Sequence, residues 1–130
     1  MRLIREFMAA LQLLLEGKDL EHRREELKKL YEQYIGPYEL YHNATIDVAM
    51  RALASYDEGQ RLERMEMLAE LYYAEADTVT GPDRNFLLDK AFNLFAFIER
   101  NGKTFSMDRR YKMALIEQRL KKCSAKTRCE

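Results

Sequence analysis

The 130-residue chain has no tryptophan and only two cysteines, two prolines and five glycines. So few turn-forming residues argue against a sandwich of many short strands, and 47% hydrophobic residues are too many for a disordered chain. The cysteines, Cys123 and Cys129, have five residues between them, which is not the spacing of a zinc knuckle or a redox pair. We expect two reduced thiols and a cytoplasmic protein.

Long apolar runs are also missing. The run Leu13–Leu15 ends at Glu16, and charges interrupt the stretch from Met1 to Phe7. This pattern is typical of neither a signal peptide nor a membrane span. We therefore predict no membrane association.

Net charge is zero, because 22 basic residues balance 22 acidic ones, but the charges are unevenly placed. Residues 38–82 hold three basic and nine acidic side chains, whereas residues 83–130 hold twelve and six. The acidic middle and basic end can pair within one chain or between two copies in a homodimer. Nucleic-acid binding by the basic end is a further alternative, which the acidic neighbours disfavour. The basic patch would consist of Arg109, Arg110, Lys112, Arg119, Lys121 and Lys122.

Apolar residues recur at helical spacing through the chain, and no segment alternates with period two. The pattern predicts six helices that end near Gly17, Gly36, Tyr56, Thr80, Asn101 and residue 122. We expect an all-α fold of stacked antiparallel αα-hairpins with short loops, repeat-like in shape. Residues 1–122 would form one domain, and 123–130 a flexible basic tail.

Local signals add detail to this prediction. Gly17 is expected to end the first helix in a left-handed cap, and Asp19, Thr45 or Asn43, and Ser106 are candidate N-caps. The fifth helix, residues 85–101, is apolar on more than one face and should be the most buried, with Phe92 and Phe95 in the core. In the fourth helix the glutamates would form a solvated face; these are Glu63, Glu66, Glu70 and Glu75. The sixth helix carries the apolar residues Met107, Tyr111, Ala114, Leu115 and Leu120.

One segment resembles a known repeat family. Residues 68–74 (Leu-Ala-Glu-Leu-Tyr-Tyr-Ala) and 91–95 (Ala-Phe-Asn-Leu-Phe) are similar to the two helices of a tetratricopeptide repeat, although Ala69 and Ala91 are 22 residues apart, which exceeds the family spacing. The resemblance covers about one repeat and implies a protein-binding helical scaffold. The chain as a whole also resembles an uncharacterised bacterial helical family, and this resemblance implies no function.

Tyrosine is the most prominent candidate for a binding residue. Its rigid ring and polar tip suit a peptide groove, although such a cluster more often forms a hairpin corner whose hydroxyls bond to backbone carbonyls or water. The groove would be lined by Tyr31, Tyr34, Tyr38, Tyr41, Tyr72 and Tyr73.

Glu39 and His42 have the E-x-x-H spacing of carboxylate-bridged metal sites in helical bundles. Such a site needs further ligands, for which a carboxylate of the fourth helix is a candidate. The alternative interpretation is a solvated or capping histidine. A small-molecule or metal-binding bundle is thus an alternative function.

Catalytic motifs and cofactor motifs are lacking: the chain has no G-x-S-x-G sequence and no glycine-rich phosphate loop. We therefore expect a non-enzymatic interaction or scaffold module without a cofactor.

Overall fold

The computed structural model describes residues 3–102 and 105–129, with side chains up to position 121. Within these ranges the chain forms seven α-helices and no strand. The predicted all-α fold is thereby confirmed. The helices are α1 (Leu3–Leu15), α2 (Leu20–Tyr34), α3 (Tyr38–Asn43), α4 (Ile46–Leu53), α5 (Glu58–Ala76), α6 (Gly81–Asn101) and α7 (Met107–Cys129).

Three of the predicted N-caps are confirmed by hydrogen bonds. Asp19 accepts from the backbone N–H of Glu21 at 3.1 Å, and the Thr45 hydroxyl accepts from Val48 at 3.4 Å. The Ser106 hydroxyl accepts from the N–H of Arg109 at 3.1 Å and so begins α7. Each bond satisfies an amide that the first turn of a helix leaves without a partner.

The predicted left-handed cap at Gly17 is wrong, since the glycines with positive φ in the described ranges are Gly36 and Gly81. The N–H of Gly17 instead donates to the Leu14 carbonyl at 3.1 Å. Arg23 then donates to the Gly17 carbonyl at 2.6 Å, which ties the α1–α2 connection to α2.

The helix missing from the prediction is α3, which has only six residues. Pro37 precedes it, where the fixed φ of proline suits the start of a helix. At Gly36 a Cβ atom would lie 2.8 Å from the ring of Tyr41, so only glycine allows α3 to fold back this closely.

The most buried helix is α5. The fifth predicted helix, which corresponds to α6, was expected to be the most buried, and this expectation is wrong. Ten residues of α5 are buried, against seven of α6. α5 packs against α1, α2, α4 and α6. Because it is covered on several sides, Glu70 and Glu75 are each only 4% exposed, so the predicted solvated face is wrong for these two.

One hydrophobic core joins all seven helices, from Leu3 in α1 to Leu120 in α7. Phe95 is fully buried and Phe92 packs partly buried against the core. The backbone of α7 continues as a helix to Cys129, so no helix end marks the predicted tail. The side chains of Lys122, Cys123 and Cys129 lie outside the described residues.

None of the helices, as far as the structure describes them, is both long and apolar enough to cross a membrane.

Phe95→Ala tests whether the α5–α6 contact is central to the core. We expect a loss of about 3–5 kcal/mol in unfolding free energy, because removal of a fully buried ring leaves a cavity. Urea denaturation followed by circular dichroism measures this loss. Phe105→Ala is the matched control, since Phe105 is 62% exposed; equal losses in the two variants would contradict the assignment of the core.

Candidate functional site

The structure divides the six tyrosines of the predicted groove into a buried group and a surface pair. Tyr38 and Tyr73 are half-buried. The others are at most 4% exposed, and a partner cannot reach them in the folded chain without displacing the core. The predicted groove is therefore reduced to its two outer members. The buried residues are Tyr31, Tyr34, Tyr41 and Tyr72.

The buried Glu75 carboxylate, near the C-terminal end of α5, brings together donors from two other helices. Its Oε1 accepts from the Tyr31 hydroxyl of α2 at 2.6 Å. Its Oε2 accepts from the Tyr38 hydroxyl of α3 at 2.5 Å and lies 2.8 Å from Nδ1 of His42. We call Tyr31, Tyr38, His42 and Glu75 the Glu75 network.

The Glu75 network determines which nitrogen of His42 carries a proton. The Tyr38 hydroxyl donates its only proton to Glu75, and its oxygen lies 3.1 Å from Nδ1 of His42. Two acceptor oxygens therefore face Nδ1, which must be protonated to approach them. In the neutral ring Nε2 is then the acceptor, and the side chain is 30% exposed.

The tyrosines in and around this network resist ionisation. Burial, together with the charge and hydrogen bond of Glu75, raises the pKa of Tyr31 and Tyr38. Burial also raises the pKa of Tyr72. In the α1–α2 hairpin, burial and a 2.6 Å hydrogen bond to Glu6 raise the pKa of Tyr34 to about 12. These hydroxyls consequently act as donors over the whole physiological pH range.

A buried lysine closes the other side of α3. Lys90 of α6 is 1% exposed, and its Nζ donates to the carbonyls of Tyr41 at 3.2 Å, His42 at 2.9 Å and Ala44 at 2.9 Å. The ring of Tyr72 lies 4.2 Å from the ammonium. Burial lowers the pKa of Lys90 to about 8, against the opposing effect of Glu75. Lys90 thus satisfies carbonyls at the C-terminal end of α3, where a helix lacks internal donors.

The two proposed metal ligands do not converge. Glu39 is exposed, and its carboxylate accepts from the Asn43 side chain at 3.3 Å. His42 turns its Nδ1 to Glu75, a carboxylate of the helix from which a further ligand was expected. In the ranges that the structure describes, no group of three or more potential ligands is placed to hold a metal ion.

Four residues of the predicted basic patch pair with acidic side chains of the same chain. Lys112 contacts Glu70 at 2.6 Å, and Arg119 contacts Asp77 at 3.3 Å. The basic end therefore meets the acidic α5 within one molecule, as the intramolecular interpretation predicts. Lys121 is exposed.

The ion pairs around Arg109 are better covered from solvent. Arg109 is 2% exposed and lies 3.1 Å from Glu99 and 3.5 Å from Glu66. Glu99 also accepts from Arg110 at 2.8 Å. Burial opposes ionisation of Glu99, but its hydrogen bonds with Arg110 and Arg109 outweigh this effect and lower its pKa. One buried cation thus joins α5, α6 and α7.

The start of α7 exposes three large apolar side chains. Phe105 is 62% exposed, Met107 74% and Tyr111 64%. Met107 and Tyr111 are four residues apart and so share one face of the helix, and the Arg110 guanidinium lies 4.6 Å from the centre of the Phe105 ring. Of the apolar residues noted in the sixth predicted helix, Met107 and Tyr111 are thus exposed, whereas Leu115 and Leu120 are half-buried. We call Phe105, Met107 and Tyr111 the α7 patch.

A cleft of about 670 Å³ lies beside the α7 patch. One wall is formed by the first turns of α5, with Glu58, Leu62, Glu63 and Glu66. The starts of α1 and α7 and the end of α6 also line the cleft. Ser106, between Phe105 and Met107 in the chain, reaches its rim. We call this cavity the end cleft. The sequence offered no signal for it, because it depends on how four helix ends meet.

Comparison with known proteins found no match to a family model, a curated protein or a solved structure.

Replacement of Glu75 by glutamine tests the energetic role of the Glu75 network. Glutamine keeps the shape but replaces one acceptor oxygen by an NH2 group and removes the charge, so at least one of the three donors loses its partner. We expect a loss of about 1–3 kcal/mol in unfolding free energy. Glu32→Gln, an exposed change on α2, controls for the loss of one carboxylate. If the two variants are equally stable in urea, the network contributes nothing.

Alkaline pH should unfold the protein through its tyrosines. Above pH of about 10 the unfolded chain ionises its tyrosines while the folded chain does not, so the unfolded state binds fewer protons and stability falls. The lowered pKa of Lys90 acts in the opposite direction and raises stability between about pH 8 and about pH 10. Tyrosinate absorbance should therefore rise mainly where the helical circular dichroism is lost. If all the tyrosines ionised near pH 10 while the helices remained intact, this would contradict the burial of these hydroxyls.

Proposed function

We propose that this chain is a non-enzymatic, cytoplasmic helical module that binds a partner protein through the α7 patch. The exposure of Phe105, Met107 and Tyr111 at one helix start is the observation that carries the proposal. Exposure of several large apolar side chains together is unfavourable in water unless a partner covers them.

The residue types of the α7 patch support the same conclusion. Aromatic residues, methionine and arginine are enriched in the centres of protein interfaces, and here Arg110 lies against the Phe105 ring. Tyrosine supplies a large contact area at a small cost in side-chain entropy. The tetratricopeptide-like resemblance implies a function of the same kind, but through a different surface.

The two electrostatic alternatives receive less support. Arg109, Arg110, Lys112 and Arg119 are each within 4 Å of a carboxylate, so their field at a distance is largely cancelled. A nucleic acid or a second copy would have to compete with these internal pairs. Neither alternative is retained as the proposed function.

Selection from a random peptide display library against the folded full chain tests the proposal. Peptides that bind wild-type protein should bind the double variant Phe105→Ala/Tyr111→Ala at least about tenfold more weakly, the effect of removing interface hot spots. The matched control is Leu13→Ala/Leu20→Ala, which removes two exposed leucines at the α1–α2 connection. Binding lost equally in both variants, or in neither, would refute the assignment of the α7 patch.

A further inference from the structure

The end cleft combines apolar lining residues with an excess of carboxylates among the described residues. Ile4, Leu62 and Ile98 contribute apolar area from α1, α5 and α6. Its volume of about 670 Å³ is within the range of sites that enclose a ligand or a few side chains. The cavity is therefore large enough for a lysine or arginine side chain together with an apolar neighbour.

The charged residues of the end cleft decide which ligand it favours. Glu58, Glu63 and Glu66 all line it, whereas Arg109 is its one basic residue among the described lining residues. Arg109 lies 3.5 Å from Glu66 and 3.1 Å from Glu99, which already balance its charge. The remaining charge of the described lining residues is negative.

Two of these carboxylates are accessible to a ligand. Glu58 is exposed in the first turn of α5, and Glu63 is half-buried one turn later. Within the described residues, Oε2 of Glu63 accepts a single long bond, of 3.4 Å, from the N–H of Ile4. The three helix starts around the cleft contribute about half a positive charge each and the end of α6 about half a negative charge, which together are smaller than two full carboxylates. A cation entering the cleft would thus meet two carboxylates for which the described residues offer no strong partner.

The position of the end cleft connects it with the α7 patch. Ser106 lies on the rim of the cleft, and its chain neighbours Phe105 and Met107 belong to the patch. A partner segment covering the patch would pass the mouth of the cleft. From this continuity and the charge we infer that the partner is a peptide segment with a lysine or arginine side chain that enters the end cleft, flanked by apolar residues on the α7 patch. This inference rests on the proposed function.

The test uses the same peptide display selection and two further variants of the full chain. Selected peptides should be enriched in lysine and arginine next to apolar residues. One such peptide is then titrated against Glu58→Gln/Glu63→Gln and against the control Glu25→Gln/Glu32→Gln, which changes two exposed carboxylates of α2. We expect the affinity to fall by about fivefold to tenfold for the cleft variant alone and to decrease with salt.

A norleucine analogue separates a direct contact from a general effect of charge. Replacing the peptide's basic residue by norleucine should weaken binding to wild-type protein and should not weaken binding further in the cleft variant. Circular dichroism verifies that each variant is folded.

The outcomes distinguish the two proposals. Binders that depend on Phe105 and Tyr111 but carry no basic residue would overturn the cleft assignment and leave the proposed function standing. Basic binders that are insensitive to Glu58→Gln/Glu63→Gln would overturn it as well. Binders whose affinity is unchanged by Phe105→Ala/Tyr111→Ala would refute the proposed function itself.

Discussion

The structure depends on one buried carboxylate. An ionised glutamate in a protein interior costs several kcal/mol unless hydrogen bonds replace its water. Glu75 obtains those bonds from Tyr31 of α2 and from Tyr38 and His42 of α3. The position of α3 follows, because Tyr38 and His42 are one turn apart and both must reach the same oxygen. Lys90 then holds the C-terminal end of α3 from α6.

The two ends of α5 consequently have different properties. At its C-terminal end the Glu75 network and Lys90 leave few polar groups without a partner, so this end is suited to stability. At its N-terminal end the starts of α1, α5 and α7 and the end of α6 surround the end cleft, and the α7 patch lies beside it. Arg109, which lines the end cleft, joins α5, α6 and α7. The end of α5 that is stabilised by buried polar contacts is thus distinct from the end that carries the proposed binding surface.

The sequence was sufficient to predict the features of the fold that depend on local interactions. Helical periodicity and the caps at Asp19, Thr45 and Ser106 predicted the all-α fold and most helix starts. The buried glutamates were missed because helical spacing was interpreted as a solvated face. A signal was present, since apolar residues surround Glu70 and Glu75 on every side from Met67 to Ala76. Such a helix is covered all round, and its charges need partners.

The candidate site was harder to predict than the fold. Tyrosine is equally suited to a groove and to a core with internal acceptors, and only the position of Glu75 decides between them. Met107 and Tyr111 have the spacing of a buried stripe, but no helix covers that part of α7. Burial of this kind depends on the arrangement of distant helices, which periodicity does not encode.

A double-mutant cycle between Tyr31→Phe and Glu75→Gln measures whether the buried carboxylate holds α2 to α5. Unfolding free energies of the wild type, both single variants and the double variant, measured in urea at neutral pH, give the coupling between the two side chains. A buried hydrogen bond to a carboxylate predicts a coupling of about 1 kcal/mol or more. If the two effects add to within about 0.3 kcal/mol, Glu75 does not hold α2 to α5, and the account is wrong.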